Sequence, residues 1–390
     1  LFAVFALALA ITPAAAQEAA PATPPLRVGF DLRAGLAPDD DGYFNITDYE
    51  HGTLRLFRLS VSAEARAGRR VAVLGELVSE NMAARVRALY LRVTPLEGRA
   101  FDVQAGLLPP VFGTFARRAY GDDGPLIGFP LGYQYLTTMR TDGVPSGADD
   151  LLRVRGRGWL VPYPSGAYPP GPGVPLVSAG RWDTGVELRV GDRPLEAAVS
   201  LTRGSLCEPI VEETNDGKQL AARIAWRPRP DWTFGASGAR GDYLRSSVVD
   251  NLPEDLRKGY HQSALGLDME YARGHLLLRA EVIQSWWELP PVGTPAITDP
   301  LRGFAAYLEG RYKMAPGWTA GARVDRLRFS TLQGSSIQDT WDANVTRVEA
   351  GVAWSPRRQL SLRAVYQYNW RDTRLFSREG FIAGQIGVWF

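Results

Sequence analysis

Between Leu108 and Gly180 the chain carries Arg117, Arg118, Arg140, Arg153, Arg155 and Arg157 against Asp122, Asp123, Asp142, Asp149 and Asp150. Guanidinium and carboxylate groups in this density hold one another in place, or attract and orient small charged solutes; alone they break no covalent bonds. Bond-breaking chemistry has little else to draw on. The chain has 3 His (His51, His261 and His275) and 1 Cys, Cys207. It has no Gly-x-Ser-x-Gly turn to present a nucleophile, no metal-ligand cluster and no phosphate-cradling Gly-rich loop. Cys207 has no partner for an intrachain disulfide. These residues describe a protein that is not an enzyme and takes no cofactor. With 44 basic and 42 acidic side chains the net charge is +2, which gives no general affinity for nucleic acid.

Elements must position these charges, and from Leu26 onward the pattern has a period of two. Leu26, Val28, Phe30 and Leu32 alternate with Arg27, Gly29, Asp31 and Arg33. Leu220, Ala222, Ile224 and Trp226 alternate with Ala221, Arg223, Ala225 and Arg227. Such segments are strands whose two faces meet different solvents. Sixteen are placed, at 26–36, 53–65, 70–80, 84–94, 100–107, 181–191, 194–204, 218–228, 231–242, 261–273, 275–287, 303–313, 317–329, 345–356, 359–371 and 379–390. Links from even to odd strands are short and turn-like. Those from odd to even strands are mostly long: 37–52, 108–180, 205–217, 243–260, 288–302, 330–344 and 372–378. An even strand count with alternating short and long connections predicts an all-β, antiparallel transmembrane barrel with short periplasmic turns and long outer loops. A soluble sandwich does not segregate its loops this way.

Trp226, Trp232, Tyr312, Trp318, Trp354 and Phe390 share the apolar parity and gather at the short-turn end of their strands, as a periplasmic aromatic girdle would. The opposite parity carries Arg27, Arg33, Arg223, Arg279, Arg311, Arg323 and Arg363 against Asp31, Glu196, Asp268, Glu270, Glu281, Glu309 and Asp325. Of these, Arg223, Arg279, Arg311, Arg323, Arg363, Glu281 and Glu309 are the expected lumen wall.

Residues 1–16 read as a signal peptide, an apolar run followed by a small-x-small site ending at Ala16. Residues 17–25 (QEAAPATPP) are a Pro/Ala-rich lead-in expected to be disordered, and 26–390 form one barrel. The placement that follows is the outer membrane of a Gram-negative bacterium.

The last strand ends Gly-Val-Trp-Phe390, and this terminal aromatic resembles the C-terminal signature that the barrel-assembly machinery reads in outer-membrane barrels. Gly106-Leu-Leu-Pro-Pro-Val-Phe-Gly113, following an alternating strand, looks like the opening of the third outer loop in phosphate-selective and related 16-stranded porins. The resemblance implies that 108–180, in the same ordinal place, folds inward as the constriction of a passive diffusion channel for small hydrophilic solutes or ions. It also implies a homotrimer, embedded among outer-membrane lipid and lipopolysaccharide. The outward faces of the first strands (Val28, Phe30, Leu32, Leu54 and Leu56) are the expected subunit contacts.

Within the constriction two arrangements stay open. Arg117, Arg118, Arg153, Arg155 and Arg157 form one basic patch favouring anions, or they pair with nearby carboxylates and pin the loop to the wall. The family's phosphate specificity uses a lysine-rich arrangement, whereas this chain has only Lys218, Lys258 and Lys313. The competing reading is a plugged structural or adhesive barrel without open-pore transport.

Overall fold

A computed structural model describes residues 26–46, 52–96, 98–119, 124–210, 215 and 217–390. The expected signal and lead-in segments, and Asp122 and Asp123, lie outside the described residues. Sixteen antiparallel strands run in chain order: β1 (Leu26–Leu36), β2 (Phe57–Ala67), β3 (Val71–Glu80), β4 (Ala83–Val93), β5 (Phe101–Leu108), β6 (Asp183–Asp192), β7 (Leu195–Thr202) and β8 (Gln219–Arg229). They continue as β9 (Trp232–Asp242), β10 (His261–Arg273), β11 (Leu276–Trp287), β12 (Leu301–Ala315), β13 (Trp318–Phe329), β14 (Val345–Arg357), β15 (Leu360–Arg371) and β16 (Arg378–Trp389). Each pairs with its chain neighbours, and β1 pairs with β16 to close the barrel. Closure satisfies every ladder without an open edge, the condition for β-structure in a bilayer. No described helix is long and apolar enough to cross a membrane.

The alternation decides which face each residue takes. Leu220, Ile224, Trp226, Leu308, Val324, Val352 and Ile386 are exposed on the outside of the wall. Arg323, Arg347, Glu309, Glu281 and Gln367 are buried on the inside. An apolar exterior around a polar, filled interior inverts a soluble core and is the arrangement a barrel needs in lipid.

The aromatic residues at the short-turn end form contacts across strands. Trp318 stacks on Trp354 at 5.6 Å, and Trp232 on Phe234 at 5.5 Å. Trp226 packs beside Phe234, and Tyr312 beside His275. Phe390 exchanges backbone hydrogen bonds with Phe30, so the last residue extends the closing ladder while its ring stays 77% exposed.

Two expectations are corrected. β2 starts at Phe57 rather than 53, and Leu54 and Leu56 are buried rather than outward. They share the inward parity of Arg58 and Ser60 and pack with Phe44, because the chain before Phe57 turns into the lumen. In β4 a bulge opposite Glu76 and Leu77 leaves Arg87 and Ala88 both buried. A bulge shifts the side-chain period by one, so strict alternation missed the inward Arg85 and Arg87.

Candidate functional site

Leu108 and Asp183 are cross-strand partners, so everything between them is one excursion from the wall. This connection does not hang outside. It carries three short helices, α1 (Phe115–Arg118), α2 (Leu131–Gln134) and α3 (Ala148–Arg153), and a two-residue pairing of Gly143–Val144 with Ser165–Gly166. Phe112, Leu131, Tyr133, Tyr135, Leu151 and Val161 are all buried, packed with wall residues such as Ile283, Ala305 and Leu327. Apolar burial against an otherwise polar lumen wall fixes which side of the barrel the loop occupies: the side of β10–β15.

Polar anchors complete the fixation. Glu281 accepts hydrogen bonds from Tyr133 Oη (2.5 Å), Tyr307 Oη (3.1 Å) and Thr114 N (3.3 Å). Glu349 accepts from the backbone N–H groups of Ile127 (3.1 Å) and Gly128 (2.8 Å). Arg323, 2% exposed, donates to Glu349 (2.7 Å), Asp325 (3.0 Å), Glu309 (3.3 Å) and the Gly128 carbonyl (2.8 Å). Arg347 reaches two loops at once, donating to the carbonyls of Phe129 (3.0 Å) and Phe44 (2.6 Å) and to Asn369 Oδ1 (2.7 Å). The first outer loop is thereby drawn into the lumen beside the third.

Glycine matters at the start of this loop. Gly113 has φ +60°, and a Cβ there would lie 2.0 Å from Glu281 Oε1 and 2.4 Å from Tyr133 Oη. Gly113→Ala is therefore expected to lower stability by about 2 kcal/mol or more, adding a clash to a left-handed backbone. A midpoint of thermal unfolding equal to that of the native chain would contradict this.

The five arginines proposed for one patch do not meet. Arg117 donates to Glu187 (3.1 Å) and the Pro110 carbonyl, and Arg118 to Tyr307 Oη (2.9 Å). Arg155 binds Thr340 and Asp372 in the outer loops before β14 and β16, and Arg153 pairs with Asp150 on its own helix. Arg157 is exposed, and Arg140 is buried against Asp142 and the Val161 carbonyl. Loop-end and wall-level arginines thus divide into separate groups, most paired locally. The inward wall residues are likewise paired: Arg223 with Asp268, Arg279 with Glu270, Arg311 with Glu309. Arg363 is buried beside Arg33 and Gln385.

Two of the cavities beside the loop lie along β1–β9. One cavity of about 320 Å³ is lined by Asp31, Arg58, Ser60, Glu76, Arg87, Arg117 and Trp182. A second of about 330 Å³ is lined by Asp102, Arg117, Arg189, Glu196 and Arg223. Arg117 borders both. Above them Arg85 donates to the Gly180 carbonyl (3.1 Å), and Arg87 lies 4.8 Å over the Trp182 ring while pairing with Glu76 (3.2 Å). Arg87 and Glu76 on the wall thus face Arg117 and Trp182 on the loop across the first cavity, with Arg85 and Glu80 paired beside them. Trp182, at the loop's far end, carried no sequence signal beyond its position.

At the outer end, Asp342 ties loops together. Its carboxylate accepts from Thr138 N (2.8 Å), Gly156 N (2.8 Å) and Ala343 N (2.6 Å). Burial pushes its pKa up to about 6, against the lowering effect of those N–H groups and of Arg155. The folded value exceeds the ordinary 3.8, so above pH 6 the cost of burying the charge is fully present. As pH falls from about 6 towards 4 the folded chain takes up a proton the unfolded chain does not, and stability rises by on the order of 3 kcal/mol. Asp342→Asn is expected to lack this gain. Thermal unfolding of both chains between pH 4 and 8 checks it: a difference between them that stays flat with pH contradicts the expectation.

His261 and His275 sit at opposite ends of β10, the first against Asp242, and do not converge on one site. A closed, 16-stranded barrel with an inward loop and a charged remnant lumen is the fold of integral outer-membrane porins. Among solved structures the chain is similar to OmpT, an outer membrane protein of Vibrio cholerae, at 13% identity and TM-score 0.56, over 94% of this chain and 97% of that one. It is similar to Salmonella typhi OmpF, solved in complex with daunomycin, at 10% identity and TM-score 0.57, over 94% and 97%. It is also similar to an anion-selective porin from Comamonas acidovorans at 10% identity and TM-score 0.56, over 93% and 98%. The likeness is one of fold. No protein-family model and no curated sequence matches the chain.

Proposed function

We propose that this chain is an outer-membrane porin, a passive diffusion channel for small hydrophilic solutes or ions. The observation that carries the reading is the partitioned lumen. One side of the barrel is filled by a loop held through Glu281, Glu349 and Arg323, and the other keeps charged cavities beside Arg87, Arg117 and Trp182. A barrel built only as a scaffold has no need of a charged, water-accessible remainder. Arg58, Arg85, Arg87 and Arg117 are matched there by Asp31, Glu80, Glu76 and Glu187. Paired charges make a transverse field that orients dipolar solutes and leave only a small preference for anions. None of Lys218, Lys258 and Lys313 lines these cavities, so phosphate selectivity is not part of the proposal.

Replacing Arg87 and Trp182 together by alanine removes a stacked pair from the passage. Single-channel conductance in planar bilayers is expected to rise, with reversal potentials near zero in a salt gradient for both chains. A native chain that inserts but passes no current would establish the plugged barrel instead. The structure of V. cholerae OmpT has been solved in a trimer form, and a homotrimer is proposed here too, with Val28, Phe30 and Leu32 on the outward face of β1 as contacts. Native mass spectrometry of the detergent-extracted barrel tests this, and a monomer at working concentration overturns it. Folding through the barrel-assembly machinery, read from the β16 strand, belongs to the same proposal.

A further inference from the structure

One rung of the wall near the short-turn end joins four strands. Asp102 on β5 lies opposite Arg189 on β6, Arg189 opposite Ala198 on β7, and Ala198 opposite Arg223 on β8. All four line the cavity of about 330 Å³ that Arg117 of α1 and Glu196 also border. Ala198 fills little of it and keeps the Cα atoms of Arg189 and Arg223 two strand spacings apart, about 10 Å. The members of this rung do not neutralise one another. Arg189 turns to Glu187 on its own strand, and Arg117 donates to the same Glu187 (3.1 Å), so two guanidinium groups share one buried carboxylate. Arg223 pairs with Asp268 (2.6 Å) and Glu196 with Arg227 (3.3 Å). Asp102 accepts from the Thr94 hydroxyl (2.5 Å). The carboxylate side chains lining the two cavities are Asp31, Glu76, Asp102 and Glu196. Among the described residues, Asp102 is the one of these held by a hydroxyl and not by a guanidinium.

The cavity therefore has a positive pole, where Arg117 and Arg189 outnumber Glu187, and a negative pole one strand away at Asp102. A single hydroxyl donor leaves most of a carboxylate's acceptor capacity for a cation. A simple anion meets Asp102 and Glu196, a simple cation meets the surplus guanidinium, and an uncharged solute gains from neither pole. A molecule that carries both charges satisfies both. Neighbouring strands are about 4.8 Å apart, so the two poles are within reach of one small α-amino acid, whose ammonium and carboxylate stand on the same carbon.

We propose that Asp102, Arg189 and Arg117 form a subsite for small zwitterionic α-amino acids at the periplasmic end of the lumen, Asp102 taking the ammonium and the two arginines the carboxylate. The inference deepens the channel reading above and rests on it. The test is ribose flux through proteoliposomes carrying the full-length barrel, in competition with four solutes of one shape at fixed ionic strength: alanine (zwitterion), lactate (anion), alaninamide (cation) and lactamide (uncharged). At about pH 6 both amines are protonated. Alanine is expected to inhibit at a concentration about fivefold below that of each of the other three. Asp102→Asn is expected to erase its advantage over lactate, and Arg189→Gln its advantage over alaninamide, each variant being measured against its own uninhibited flux. Equal inhibition by all four solutes, or an alanine preference unchanged in either variant, would overturn the subsite while ribose still crosses. No ribose flux through the inserted native barrel would overturn the channel reading and the subsite with it.

Discussion

Arg323→Ala is expected to destabilise the barrel by about 3–5 kcal/mol and to release the inward-folded loop from the wall. The side chain is buried among Glu309, Asp325 and Glu349, and it also holds the Gly128 carbonyl. Arg311 also pairs with Glu309, and Arg347 places a further positive charge near Asp325 and Glu349. Removing the central guanidinium strands buried negative charge, and breaking a buried pair from one side costs far more than the pair contributes as a whole. Glu349 also holds the backbone N–H groups of Ile127 and Gly128, so its repulsion from Asp325 and Glu309 is passed directly to the loop. Two readouts are expected to move together: the temperature of heat-induced gel-mobility shift falls, and single-channel current becomes noisier. A double-mutant cycle with Glu349→Gln isolates the pair, and the two changes are expected to be strongly non-additive. Simple additivity, or an unaltered transition, would mean the cluster does not hold the loop.

The second large effect is on the passage itself. Because Leu108 and Asp183 are direct strand partners, residues 114–178 can be replaced by a short Gly/Ser turn without changing strand register. The wall of sixteen strands then encloses an open aqueous lumen. Conductance is expected to rise several-fold, and the limiting size of sugar in liposome swelling to increase with it. Stability is expected to fall at the same time, because Ile283, Ala305 and Leu327 lose their apolar cover. A conductance equal to that of the native chain would show that the loop does not set the passage.

Nearly all of the wall was legible before the structure. The β1 and β10 boundaries agree with the expected ones, and most others fall within two residues. The failures have local causes: the inward turn that buries Leu54 and Leu56, and the β4 bulge that turned Arg87 inward without breaking the apolar look of the segment. Arg153, Arg155 and Arg157 were grouped with Arg117 and Arg118 because they lie close in sequence. In space Arg155 joins the loops before β14 and β16, and Arg117 joins β6.

The sequence by itself determined the barrel, because period-two alternation between two solvents is a local property that each strand displays alone. Loop-length asymmetry added the direction of the strands, and the aromatic parity marked one rim. Only the tertiary structure decided which side of the lumen the long loop fills and which arginines face the space that remains. Those outcomes depend on partners up to about two hundred residues apart, as with Arg323 and Gly128, and on Glu281 and Glu349 presenting carboxylates to backbone N–H groups. No spacing along the chain encodes such pairings, since a guanidinium on the lumen parity can meet any of several carboxylates until packing fixes one.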